Sequence, residues 1–415
     1  MKIRSTVARF DRPDFWIGVD SAITAAASAI LLIVGSRVLG SGGLVPLAMV
    51  QLFASSAVIL QRATLLSPAL AARRQLGAPA AIPTRWAWFS VPVFALPVAA
   101  ICPFVMGASE AVFIAVPAAA AFGIAAVGLD FVRYMFISRD MPRYAVIMDI
   151  AWVGMLVIGG LIVIAQPSWL SFAYGWSVCG ALACAVGAVI AIKAEGPKSR
   201  ATVTLAGTLR LGRWSGLDNL LSVTANLVPM AVATLTIATP LAAVYRVLQT
   251  ALGPLNIVNT TLMASFGLNS WRLTSVEALR DLRSRVKKSV MVLLAATILY
   301  VGLAFTIIIL AAGISWSDSI RVVAVLFVAA ILGAWTSPLA AASSALGYQF
   351  LGLIVRILVV TFSIFISWTV SAGVNAPIDD PIGAVALVAA LLGILGWGVG
   401  YVLAMRREHR VLGSE

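Results

Sequence analysis

Six charged residues of this chain fall within or at the edge of long apolar runs, where a charge has chemical consequences. The acids are Asp20, Asp149 and Asp218; the bases are Arg62, Arg246 and Arg356. A charge at the centre of a membrane span costs about 2.5–3.5 kcal/mol on insertion scales, so such groups face a bundle interior or a wet cavity. A carboxylate placed there can bind and release a proton or a cation, coupling or gating a movement. A guanidinium can grip phosphate, because its fork matches two oxygens at once. Arg246 belongs to the most polar helix of the chain. Gln249, Gly253, Asn256, Asn259 and Thr260 follow it at three- and four-residue steps and make one polar face. If Arg246, Arg356 and Arg62 converge, the cavity they line is cationic and suits a phosphate-bearing anion.

Each of these residues also has a plainer reading. Asp20 and Asp218 sit where a carboxylate suits the positive end of a helix dipole. Arg246 lies near enough to a helix end to snorkel to headgroups. Asp149 has Arg133 or Arg143 within reach as a counter-charge. Asp130 and Arg133, spaced i, i+3, read as a local pair.

Other chemistries lack their residues. No G-x-x-x-x-G-K-[ST] phosphate loop occurs, and no cofactor motif. Cys102, Cys179 and Cys184 lie in apolar stretches without metal spacing, and the one histidine is His409 in a basic tail, so no metal site is expected. A membrane-embedded polysaccharide enzyme needs polar outer loops, where the acids are chiefly Glu110, Asp318, Asp379 and Asp380. Repeated channel filter sequences are missing too.

The elements that must hold these groups are transmembrane helices. Of 415 residues, 61% are hydrophobic and 11% charged, against roughly 25% charged in soluble domains. In lipid every backbone amide must be satisfied within its own segment, which helices achieve. At about 20 residues per span, twelve helices are expected near 15–37, 44–66, 86–107, 111–133, 144–165, 169–192, 214–238, 241–267, 289–313, 320–341, 349–371 and 382–404. The net charge of +13 is spread over short loops, a pattern that fits anionic lipid and excludes nucleic acid. With this span set, 25 of 29 basic residues fall on one side, and Arg37, Arg246, Arg321 and Arg356 fall elsewhere. The positive-inside rule makes that side the cytoplasm of a cell-membrane protein with both termini inside.

The chain also repeats itself. Trp16, Gly18 and Asp20 open the first span, and Trp214, Gly216 and Asp218 open the seventh; Pro46-Leu-Ala and Pro240-Leu-Ala open the second and eighth. Six spans per half give parallel repeats related by an axis along the membrane normal. The expected organisation is an N-terminal bundle (1–193), a cytoplasmic linker (194–213) and a C-terminal bundle (214–415).

The chain resembles the MOP superfamily of exporters, and most of all its flippases for lipid-linked O-antigen and capsule oligosaccharides. The resemblance runs through nearly the whole chain. Its most specific segments are Asp130 to Asp149 and Tyr245-Arg246 to Arg272. It implies two six-helix bundles around a cationic lumen, with Arg246, Arg356, Arg62, Gln249, Asn256 and Asn259 on the diphosphate. A proton or sodium ion would couple through Asp149, Asp20 or Asp218. The implied partners are a polyprenyl-diphosphate-linked glycan, membrane lipids and a polysaccharide polymerase. Multidrug exporters of the same superfamily are the alternative within the fold, and an assembly enzyme is the alternative outside it. Major-facilitator transporters also have six-plus-six spans, but their glycine-aspartate-arginine loop is replaced here by Ala71-Ala72-Arg73-Arg74.

Overall fold

The computed structural model describes residues 13–69, 80–105, 112–139, 141–165, 167–193, 201–202, 204–236, 244–245, 247–249, 252, 255, 275–312, 315–346, 350–371 and 381–413. Among these, ten helical stretches are long and apolar enough to cross a membrane. The chain is a multi-pass membrane protein.

The first two spans form one continuous run, α1 (Pro13–Gln61), broken at Gly40. The backbone there has a φ of 63°, in the left-handed region that glycine enters without strain. The amide of Gln51 reaches the carbonyl of Ser28 at 3.2 Å, so the arms on either side of Gly40 lie against each other. Pro46 stands early in the second arm, where a missing N–H costs least. A π turn, Arg62–Leu66, follows directly, with the Ser67 N–H bonded to the Arg62 carbonyl. Then come α2 (Ala87–Val105), α3 (Val112–Ser138), α4 (Pro142–Ala165), α5 (Trp169–Lys193) and α6 (Leu205–Thr236). The later helices are α7 (Val276–Ala312), α8 (Trp316–Ala345), α9 (Phe350–Ser371) and α10 (Pro381–Gly413).

Two compact units divide the chain, Met1–Leu220 and Leu221–Glu415. In the first, α3 is central and packs on α1, α2, α4 and α5. It is sheathed nearly all round: Val127, Leu129, Phe131, Val132, Met135 and Phe136 are all buried. Small residues let α5 approach it closely. A Cβ at Gly180 would meet Ala125 at 3.1 Å and Leu129 at 3.3 Å. In the second unit α10 is central, packing on α7, α8 and α9. The outer surfaces carry large apolar side chains such as Leu299, 78% exposed, and Ile158, 67% exposed. Such faces are the ones that lipid covers.

A two-residue parallel ladder joins the loops, β1 (Ala80–Ala81) pairing with β2 (Ala201–Thr202). The adjoining Ile82 N–H donates to Ser138 Oγ at 3.3 Å, so the stretch just before α6 is fastened near the end of α3. Thr204 then caps α6, its Oγ1 accepting from the Gly207 N–H at 3.3 Å, which satisfies one of the helix's orphan donors.

Candidate functional site

Asp130 and Arg133 stand on α3, the helix sheathed by its neighbours, so both charges are held inside the protein. Each needs a partner there, because an unpaired buried charge is strongly destabilising. A tight turn supplies the first. The Met141 N–H bonds to the Phe136 carbonyl, and α4 begins at Pro142, a favoured first helical residue. Arg133 and Asp149 therefore lie about 8 and 10 Å from the turn along adjacent helices at about 1.5 Å per residue, at matching depth. They meet: Arg133 Nη2 donates to Asp149 Oδ1 at 2.7 Å and Nε reaches Asp149 Oδ2 at 3.0 Å.

The first arm of α1 adds a second carboxylate. Asp20 Oδ1 lies 3.3 Å from Arg133 Nε and has no hydrogen-bond partner of its own. Thr24, one turn on, donates to Asp149 Oδ2 at 3.0 Å. The π turn adds a second guanidinium. Arg62 Nε donates to Asp130 Oδ2 at 2.8 Å while its Nη2 pairs with Asp130 Oδ1, and its fork lies 5.8 Å above the Tyr134 ring. Arg133 Nη1 is 3.6 Å from Asp130 Oδ1, which closes the network.

Three carboxylates and two guanidiniums thus share one buried cluster, Asp20, Asp130 and Asp149 with Arg62 and Arg133. With all five ionised it holds one excess negative charge. One added positive charge would balance it. Among the described residues no group of His, Cys, Asp and Glu is arranged to hold a metal ion.

Against the sequence, the structure brings Asp20, Asp149 and Arg62 into one site and supplies the Arg133 partner for Asp149. Arg143 instead lies 5.5 Å above the Trp16 ring. The i, i+3 pair of Asp130 with Arg133 exists, but its 3.6 Å separation makes it the secondary contact of both residues. Asp218 is half-buried on α6, Gln249 is half-buried beside Val247 and Leu248, and Arg356 is half-buried on α9. Arg246, Asn256 and Asn259 lie outside the described residues, and the expected eighth span lies mostly outside them. Spacing marked Asp130 and Arg133 as a local pair and Arg133 as one counter-charge for Asp149, but not their place in a five-residue cluster, and Thr24 was not marked at all. The available signal was the apolar composition of α3, which leaves its charges no route to water.

The packing around the cluster is tight enough to test. A Cβ at Gly187 on α5 would come 2.5 Å from Met148 Sδ and 2.9 Å from Val132 Cγ1, the neighbours of Asp149 and Arg133. Gly187→Val is expected to destabilise the first unit by about 1–3 kcal/mol through overpacking. Thermal unfolding in detergent reads this out, and an unchanged midpoint would mean that α5 yields without disturbing the cluster.

Solved structures share this architecture from end to end. An outward-facing multidrug resistance MATE family transporter of the MOP superfamily matches with a TM-score of 0.61 at 16% identity, over 99% of this chain and 96% of that one. A MOP superfamily transporter from Pyrococcus furiosus Vc1 (DSM3638), described as having a binding pocket of reverse polarity, matches with a TM-score of 0.59 at 15% identity, over 95% and 94%. The fold is that of the MOP transporters. A MATE protein in a bent conformation matches at 0.55 and 17% identity, over 98% and 97%. No protein family pattern and no curated protein matches the sequence. The MOP fold is thus carried by a sequence in which few residues coincide, so roles on it must be argued from this chain's own side chains.

Proposed function

We propose that this chain is a proton-coupled exporter of the cell membrane that flips a polyprenyl-diphosphate-linked oligosaccharide to the outer leaflet by alternating access. Both termini lie in the cytoplasm. The observation that carries the coupling is the odd carboxylate of the Asp20, Asp130, Asp149, Arg62 and Arg133 cluster. Arg133 stands among all three carboxylates, at 2.7 to 3.6 Å. That position favours a proton over sodium, because a bound sodium ion would face the guanidinium at close range. The passenger reading rests on Arg356 within an apolar span and on Arg246 at the head of the polar stripe, both suited to phosphate. An outside-positive potential also helps an outward-moving anion by about 2.3 kcal/mol per charge per 100 mV.

A second reading, export of cationic small molecules, has its own support. Arg62 is held bidentately by Asp130 and so offers less to a phosphate. The excess charge of the cluster is negative, which suits a cation.

Flipping of a fluorescent polyprenyl-diphosphate sugar in proteoliposomes, with an imposed pH gradient and potential, separates the two. Gradient-dependent flipping that is lost in Arg246→Ala and in Arg356→Ala supports the flippase. Normal flipping by the double variant would overturn the diphosphate role of these arginines. Efflux of a cationic dye with no flipping would move the protein to the second reading.

A further inference from the structure

The repeated Trp-x-Gly-x-Asp motif lies near the start of α6, and one of its residues has a contact that the cluster alone does not account for. A Cβ at Gly216 would sit 2.5 Å from Thr64 Cγ2. One turn earlier, a Cβ at Gly212 would run into the Thr64 carbonyl oxygen and come 2.7 Å from Pro68 Cγ. Two glycines four residues apart on one face of α6 therefore make a seat for Thr64. Thr64 is the middle residue of the π turn Arg62–Leu66.

The same turn holds the charge cluster on its other side. Arg62, its first residue, is paired with Asp130 on α3, and Ser67, just after it, reaches the Tyr134 hydroxyl. Ala63, Leu65 and Leu66 are buried, so the turn is wedged between α3 and α6. A π turn is a local change of hydrogen-bond register, frequent at functional sites. Returning it to the α register turns one end against the other by about 100° per residue. The start of α6 is itself fastened by the β1–β2 ladder and the Thr204 cap, and the helix runs on past Leu220, where the first unit ends.

We propose that Thr64 is a positioning residue: seated on Gly212 and Gly216, it passes the state of the Arg62–Asp130 pair to α6. When the pair holds, the π turn is fixed and α6 is locked against it. When the pair is released, Thr64 shifts and α6 is freed to move. This deepens the proton-coupling reading and rests on it for its purpose, but the contact and its test use neither substrate nor gradient.

The test is hydrogen–deuterium exchange of the full chain in nanodiscs, following peptides from 205–220 and, separately, from 124–138. Asp130→Asn and Arg62→Lys are each expected to speed exchange of 205–220 by about tenfold, equal to about 1.4 kcal/mol of opening free energy. Gly216→Ala is expected to do the same, although alanine by itself favours helix over glycine. Gly216→Ala combined with Thr64→Ser, which deletes the Cγ2 atom, is expected to return exchange to the parent level. That rescue separates a fitted contact from general destabilisation. The proposal is overturned if Asp130→Asn and Arg62→Lys alter 124–138 while 205–220 stays at the parent rate. It is also overturned if the double variant exchanges like Gly216→Ala alone. A failure of proton-coupled transport would change none of these results.

Discussion

Arg133→Met is expected to lower the stability of the first unit by about 3–5 kcal/mol at neutral pH, the cost of breaking a buried ionic group by removing one partner. Arg133 bonds Asp149 twice through Nε and again through Nη2, lies 3.3 Å from Asp20, and approaches Asp130 at 3.6 Å. Its removal leaves Asp149 with the Thr24 hydroxyl, takes from Asp20 the guanidinium beside it, and leaves Arg62 paired with Asp130. Unfolding of the variant and the parent in detergent reads the loss. A variant as stable as the parent would mean that water reaches the carboxylates and takes the place of the guanidinium.

Asp20→Asn is expected to abolish gradient-driven accumulation while sparing exchange. Asp20 is the third carboxylate, and without it the cluster is balanced at two acids and two arginines, with no place for an added proton. One unit of pH gradient is worth about 1.4 kcal/mol, so a carrier moving one proton per substrate can accumulate about tenfold per unit. The variant should accumulate nothing against a gradient and still exchange labelled for unlabelled substrate at equal concentrations. Asn is close to Asp in size and Asp20 Oδ1 makes no hydrogen bond, so the fold should survive the change. Accumulation at the parent level would remove Asp20 from coupling and leave Asp149 and Asp218 as the remaining candidates.

Much of this protein is determined by its sequence alone. The length and spacing of apolar runs give a multi-pass helical protein, because lipid admits few other ways to satisfy the backbone. The break between the spans expected near 15–37 and 44–66 was legible from hydropathy, and Gly40 makes it with left-handed backbone that glycine takes up without strain. Asp20, Asp149 and Arg62 stood out because charges inside apolar runs need a reason to be there. Tertiary structure decided their partners. Arg62 and Asp130 are 68 residues apart, and Thr24 and Asp149 are 125 apart, separations over which no helical periodicity operates. Asp130 and Arg133 looked self-sufficient at i, i+3, because sequence spacing shows which side chains share a face and not what that face meets. The π turn was equally hidden: one extra residue in a helical register leaves no mark in composition, yet it aims Arg62 at α3 and seats Thr64 on α6. Sequence thus set which charges had to be buried, and the packing of α1, α3 and α4 settled how they neutralise one another and which one is left over.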